Sequence, residues 1–293
     1  MTKFFKTTST ALALSALLLA GRSEAQINTP QPSPLSTVTQ RVGLTDITIT
    51  YSRPSAKGRT VAGNLIPMGK RWRTGANATT TIKFSDEVIL EGKKVPAGEY
   101  GLYTIPNKDT WAVVLSKNTK QGANVDAFKD EDNVATISAK TYNLANKVET
   151  FTINFSDLTP ATANVDMQWE NIGAKFRITT EVDAKVMAQI NEKVIKGAAT
   201  ATPADYAAAA VYYLDNDKDM KQALAWMQKT NEKDPKFWNM HTEAKIRMKM
   251  KDYKGATAAA EQSKKLATEA KNNDYVKMND ELIASAKKGG ATK

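Results

Sequence analysis

The chain of 293 residues lacks cysteine altogether and contains one histidine, His241. Without cysteine there is no disulfide, no thiol catalysis, no cysteine-ligated zinc and no iron–sulfur cluster. A single imidazole cannot supply the paired histidines of a metalloprotease helix, and it leaves one candidate base for a serine triad. His241 falls in the helical half of the chain, next to Met240. We therefore expect it on a helix surface or between helices, and we expect no catalytic residue and no metal site.

Glycine-rich phosphate loops are missing as well. The sequence contains neither a Gly-x-Gly-x-x-Gly nor a Walker-type pattern, so no nucleotide cofactor, and no cofactor of any kind, is expected. The acidic segment 126–133 lacks the alternating ligands and the glycine of an EF-hand loop, and we interpret it as a solvated surface loop. After the N terminus, no run is long and apolar enough to span a bilayer.

The N terminus has the residue order of a secretory signal peptide. Two lysines precede the apolar run 11–21, and the small residues Ser23 and Ala25 precede a cleavage site after Ala25. The run is about half the ~20 apolar residues that a membrane span needs. We therefore predict that residues 1–25 are removed and that the protein is periplasmic or secreted.

The charge of the chain is basic, with a net value of +10 at neutral pH. Removal of residues 1–25 leaves about +8, because that segment holds three basic residues and one acidic residue. A basic surface favours anionic partners, although a lysine-rich surface also serves solubility alone. The expected partner is an anionic glycan or another anionic ligand, and nucleic acid is not expected.

Residues 36–183 alternate apolar and polar side chains with the period of β-strands. Ile47, Ile49 and Tyr51 alternate with polar residues, and turn residues separate eight or nine such runs. This pattern predicts an antiparallel, jelly-roll-like β-sandwich. The preceding residues 26–35 are proline-rich and predict an extended tether.

Near residue 183 the period becomes helical, which predicts a helix and linker over 184–203 and helices over 204–293. The segments 219–223 and 252–256 align at an offset of 33 residues. This offset resembles the tetratricopeptide repeat, and an ordinary helical hairpin is the alternative. Overall, the sequence predicts a β + α protein with a small all-α region that contacts another protein.

One segment, residues 51–79, contains six basic residues and no acidic residue. Arginine forks bind carboxylate, phosphate or sulfate groups, and an indole face accepts a sugar ring. Alternatively, the segment is a crossover that buries its tryptophan while its arginines pair with Asp46, Glu99 or Glu170. The ligand-binding hypothesis rests on six residues, namely Arg53, Arg59, Arg71, Trp72, Arg73 and Asn77.

Three motifs occur in order along this part of the chain. They are Tyr-x-Arg-Pro at 51–54, Trp-Arg-Thr-Gly-Ala-Asn at 72–77 and Pro-Ala-Gly-x-Tyr-x-Leu at 96–102. With these motifs, residues 36–180 resemble the domain of unknown function 2911 family of exported bacterial proteins. The resemblance implies a β-rich exported domain, often followed by helices, with no established activity.

These features favour an exported, non-enzymatic binding or scaffolding protein. A carbohydrate-active hydrolase is one alternative, since Glu99 with Glu170 or Asp166 could form the carboxylate pair that glycosidases use. A purely structural envelope protein is the other alternative.

Overall fold

The computed structural model describes residues 29–232 and 234–291, and the predicted signal peptide 1–25 lies outside them. The chain divides into two compact units between Thr180 and Glu181. The first consists mainly of strands and also contains two 3-10 helical turns, Val125–Ala127 and Asp130–Asp132, whereas the second consists of helices. The sequence-based end of the strand region, residue 183, lies three residues beyond this division.

The described residues of the first unit, which we call the sheet unit, form one antiparallel sheet of nine strands. Their order across the sheet is β1-β2-β3-β6-β7-β8-β9-β4-β5. The strands are β1 (Leu35–Val42), β2 (Thr45–Ser52), β3 (Ala76–Phe84), β4 (Val88–Leu90), β5 (Lys93–Val95), β6 (Gly98–Ile105), β7 (Thr110–Ser116), β8 (Asn133–Ser156) and β9 (Thr162–Thr180).

The alternation of side chains along each strand explains the core of the sheet unit. In β2, Ile47, Ile49 and Tyr51 are buried, whereas the residues between them are partly exposed. Val165 and Met167 of β9 are buried in the same core. Because successive side chains on a strand point to opposite faces, the period of two predicts which residues are buried. The predicted β + α arrangement is confirmed, and the finer description as a sandwich stays a prediction.

In the second unit, the helical unit, the described residues form six α-helices, and a π-helical turn (Asn191–Lys196) follows the first of them. None of the described helices is long and apolar enough to cross a bilayer. The helices are α1 (Asp183–Ile190), α2 (Pro203–Asp215), α3 (Met220–Asn231), α4 (Phe237–Lys249), α5 (Tyr253–Glu269) and α6 (Asn273–Ala291).

Side-chain caps fix where these helices begin. Thr202 and Asp205 form a reciprocal capping box at the start of α2, so backbone N–H groups that lack a helical partner are satisfied. Asp219 caps α3 and Asp252 caps α5. The two sequence segments that align at an offset of 33 residues therefore both open a capped helix. The predicted helical region is confirmed, and its likeness to tetratricopeptide repeats stays a prediction.

His241 lies on α4 and connects this helix to α6. Its Nδ1 is 2.9 Å from Oδ1 of Asn279, and its ring meets the ring of Tyr275 edge-on. The imidazole therefore occupies an interhelix position, as expected from its place in the helical half of the chain.

Candidate functional site

The site is built on an irregular segment between β2 and β3, at residues 71–73. The backbone of Trp72 pairs with that of Thr104 in β6 through two hydrogen bonds, of 2.7 and 2.9 Å. This short bridge keeps the segment extended against the sheet. Because side chains alternate along an extended chain, Arg71 and Arg73 lie on the face opposite to Trp72.

Trp72 is anchored in the core, with 6% of its surface exposed. Its ring stacks on Trp169 with a centroid separation of 6.1 Å, and it meets Trp111 and Phe151 at steep angles. This packing is the one expected if the segment is a structural crossover. It leaves little of the indole face for a ligand.

A cavity of about 330 Å³ opens beside this segment. Three arginines contribute to its wall together with apolar and aromatic residues, and none of its described lining residues is acidic. We call it the arginine cavity. Its lining consists of Pro54, Arg59, Leu65, Pro67, Arg71, Trp72, Arg73, Gly75, Ala76, Val125 and Trp169.

Arg73 is the arginine of this cavity whose guanidinium has no hydrogen-bond or ion-pair partner among the described residues. Its Nε atom is buried without a hydrogen-bond partner, and no described carboxylate pairs with its guanidinium. Burial also lowers the pKa of Arg73 from its usual value, because a low-polarity environment disfavours the charged form. A buried charge without a partner costs free energy that an opposite charge would offset.

Arg71 differs from Arg73 because part of its guanidinium is already occupied. Its Nη2 donates a hydrogen bond of 2.8 Å to Oδ1 of Asp130, and the ring of Phe128 lies 3.7 Å from its guanidinium carbon. The Nε atom of Arg71 is nevertheless buried and has no partner. The hydrogen bond from Arg71, followed by that from Asn133, holds the pKa of Asp130 below its usual value.

Arg59, the third arginine of the cavity, stabilises the backbone of its own segment. Its Nε donates to the carbonyl oxygen of Ala56 and its Nη2 to that of Ser55, at 2.9 and 3.0 Å. These bonds close a turn of the segment. Arg59 therefore adds positive charge to the cavity while much of its hydrogen-bonding capacity serves the backbone.

Two of the six residues in the ligand-binding hypothesis lie elsewhere. Arg53 donates to the carbonyl oxygen of Phe151 and to Oγ1 of Thr152, which fastens the segment to β8. Asn77 donates to the carbonyl oxygen of Ser33. Neither residue lines the arginine cavity. The structure therefore brings together Arg59, Arg71, Trp72 and Arg73.

Residues 33–178 match the family described as "Protein of unknown function (DUF2911)". The sheet unit belongs to the DUF2911 family. This match confirms the resemblance inferred from the three motifs. No curated protein and no solved structure matches the chain.

Sequence reasoning missed the residues that the fold of this DUF2911 domain brings from a distance to the cavity or to Arg71 in its wall. Trp169 comes from β9, and Phe128 and Asp130 come from the segment that we interpreted as a solvated loop. The one signal in the sequence was charge complementarity, because segment 126–133 is acidic and segment 51–79 is basic.

The acidic residues expected to pair with the arginines have other partners. Asp46 pairs with Arg41 at 2.8 Å. Glu170 accepts a hydrogen bond from the backbone of Val61 and lies 3.5 Å from Lys147. These pairings correct the expectation that Asp46 or Glu170 would neutralise the basic segment.

The third expected partner, Glu99, is exposed on β6 and pairs with none of the four arginines. Asp166, the other acid considered for hydrolysis, is buried and accepts hydrogen bonds from Tyr142 at 2.5 Å and from Gln168. Among the described residues no group of three or more acidic or histidine side chains could hold a metal ion.

Proposed function

We propose that the DUF2911 domain binds a small anionic ligand in the arginine cavity, as the binding part of an exported, non-enzymatic protein. The observation that supports this proposal is Arg73, a partly buried guanidinium without a carboxylate partner. Two further arginines line the same cavity, and no described lining residue is acidic. A bound anion would supply the counterion for Arg73.

The energetic reason is desolvation. A cation that is removed from water loses hydration free energy, and only a nearby negative charge with good hydrogen-bond geometry restores it. Guanidinium groups donate paired N–H groups in a plane, which match carboxylate, sulfate and phosphate oxygens. The cavity can therefore favour an anion over a neutral ligand of the same size.

The size and walls of the cavity narrow the range of ligands. About 330 Å³ lies at the small end of ligand pockets, which favours a single small molecule over a polymer chain. Leu65, Pro67 and Trp169 give the cavity an apolar side. These walls suit the carbon skeleton of an organic acid or an acidic sugar.

Export and a protein partner belong to the same proposal but rest on other features. Export rests on the sequence of residues 1–25, which lie outside the described residues. A protein contact through the helical unit draws support from Trp238 on α4, whose side chain is 45% exposed. Large aromatic side chains are enriched at protein interfaces.

The test of anion binding is a titration of the purified protein with glucuronate and with sulfate at constant ionic strength. The signals of the arginine Nε–H groups are followed by nuclear magnetic resonance. We expect the Arg73 signal to shift, and we expect Arg73→Gln to weaken binding at least ~10-fold, since charged hydrogen bonds contribute about 1.5–3 kcal/mol.

Arg41→Gln is the matched control. It removes the same charge from the sheet unit at an exposed ion pair outside the cavity. Equal weakening by both variants would show non-specific attraction to a basic surface. Unchanged binding in a folded Arg73→Gln variant would show that the arginine cavity is not the site.

A further inference from the structure

Two residues of the segment before β8 contact Arg71, although neither is among the residues that line the arginine cavity. Phe128 lies between Arg71 and Tyr103, with its ring 4.8 Å from the ring of Tyr103. Asp130 holds Nη2 of Arg71 at 2.8 Å, and its own side chain is 77% exposed. The carboxylate therefore reaches Arg71 from the solvent side.

We propose that Asp130 is an internal occupant of a second acid-binding position, and that the ligand is a small organic dicarboxylate which replaces it. One carboxylate of this ligand pairs with Arg73, and the other takes the place of Asp130 on Arg71. This inference rests on the proposed anion-binding function and names the ligand class of the same site.

The first argument is that Arg71 already binds a carboxylate in this structure. Asp130 shows which chemical group fits the solvent-facing donors of Arg71. Arg73 offers a similar guanidinium that has no such partner. A ligand with two carboxylates satisfies both arginines, whereas a ligand with one leaves Asp130 in place.

The second argument is the spacing of the two arginines. Arg71 and Arg73 are two residues apart on an extended segment, and both line the same cavity. Residues in this relation are about 6.6 Å apart along the chain. Two carboxylates on a short carbon chain match such a pair, and the apolar walls at Leu65 and Val125 suit the methylene groups between them.

The third argument is that the ion pair between Arg71 and Asp130 is easily exchanged. The Arg71 side chain is 20% exposed and that of Asp130 is 77% exposed, so water screens the attraction between them. A ligand carboxylate whose other end is bound by Arg73 can compete with Asp130, because its contact with Arg71 is then intramolecular, as that of Asp130 is.

The test compares three probes by calorimetric titration: glutarate, pentanoate and sulfate. Glutarate and pentanoate have five carbons each and differ in the second carboxylate. We expect glutarate to bind most tightly. We expect Asp130→Asn to raise glutarate affinity about three-fold, which corresponds to the modest contribution of an exposed ion pair, and to leave pentanoate affinity unchanged.

Glu131→Gln is the matched control, because Glu131 is the adjacent acid, is 75% exposed and pairs with Lys129 instead of an arginine. An equal gain in this variant, or a loss of glutarate affinity in Asp130→Asn, would overturn the internal-occupant role. Tighter binding of sulfate or pentanoate would overturn the dicarboxylate class.

The Arg73 Nε–H signal distinguishes failure of this inference from failure of the proposed anion-binding function. If any probe still shifts the Arg73 Nε–H signal, anion binding stands while the dicarboxylate inference falls. If no probe shifts that signal in either the wild type or Asp130→Asn, both are wrong.

Discussion

At the scale of single residues, positions 71–73 show how neighbouring side chains meet opposite surroundings. Trp72 packs among aromatic rings of the core, whereas Arg71 and Arg73 face a cavity with no described acidic lining. The backbone bridge to Thr104 fixes this alternation. The buried indole of Trp72 anchors the segment, as the structural interpretation expects. Arg71 and Arg73 are the residues to which the ligand-binding interpretation applies.

The prediction at this scale concerns Trp72. Trp72→Ala removes a buried indole from a cluster with Trp169 and Phe151, so we expect the sheet unit to lose about 3–5 kcal/mol of unfolding free energy. Amide hydrogen exchange of sheet peptides in increasing urea measures this loss. Trp238→Ala, at a 45% exposed tryptophan of the helical unit, should leave the same peptides unchanged. A small effect of Trp72→Ala would contradict its place in the core.

At the scale of elements, the paired strands β8 and β9 connect the cavity wall to the rest of the sheet. Tyr142 of β8 donates to Asp166 of β9, and its ring covers Gly173, where any side chain would collide with it. Trp169 of β9 donates to the carbonyl oxygen of Glu149. Side-chain contacts therefore reinforce this strand pair where the register of its backbone hydrogen bonds shifts.

The prediction at this scale is a delayed ionisation of Tyr142. Burial, followed by the hydrogen bond to Asp166, raises its pKa to about 12 from 10.0. Since the folded state favours the neutral phenol, its contribution to stability is complete below pH 10 and is lost as the pH rises towards 12. Carbon-13 signals of the tyrosine rings during a pH titration measure this value.

Asp166→Asn should lower the pKa of Tyr142 part of the way, because burial remains when the acidic partner is lost. Tyr212 is the internal control, since Asp183 rather than Asp166 accepts its hydrogen bond and its pKa is also raised to about 12. Ionisation of wild-type Tyr142 near pH 10 would contradict this account.

At the scale of the whole molecule, the chain forms two units with separate cores. The described core of the sheet unit draws on residues between Val42 and Ile178, and the cores of the helical unit draw on residues between Ile190 and Ala260. About 150 residues bury enough surface for an independent domain. The stability of each unit therefore depends mainly on its own residues.

We expect a fragment that ends at Thr180 to fold without the helical unit. Amide exchange in β7, β8 and β9 should match that of the full protein, because the described core cluster of the sheet unit consists of residues of that unit alone. A protection loss of several orders of magnitude in the fragment would show that the helices are required for the fold of the sheet unit.

Much of the fold was predictable from local patterns. Alternation at Ile47, Ile49 and Tyr51 predicted a strand, because a period of two places one face against a core. The segments 219–223 and 252–256 align in the sequence, and both open a helix because the aspartate of each satisfies the first N–H groups. These features depend on residues close in sequence, which is why one sequence sufficed.

The sequence by itself determined the β + α organisation, the DUF2911 membership and the basic segment that carries Arg71 and Arg73. Only the tertiary structure decided which charges remain unpaired. Asp46 pairs with Arg41, and Asp130 pairs with Arg71, which lies 59 positions away in the sequence. The guanidinium of Arg73 has no partner among the described residues. Pairing of charges depends on distances of a few ångströms between segments far apart in sequence. Local periodicity contains no information about those distances.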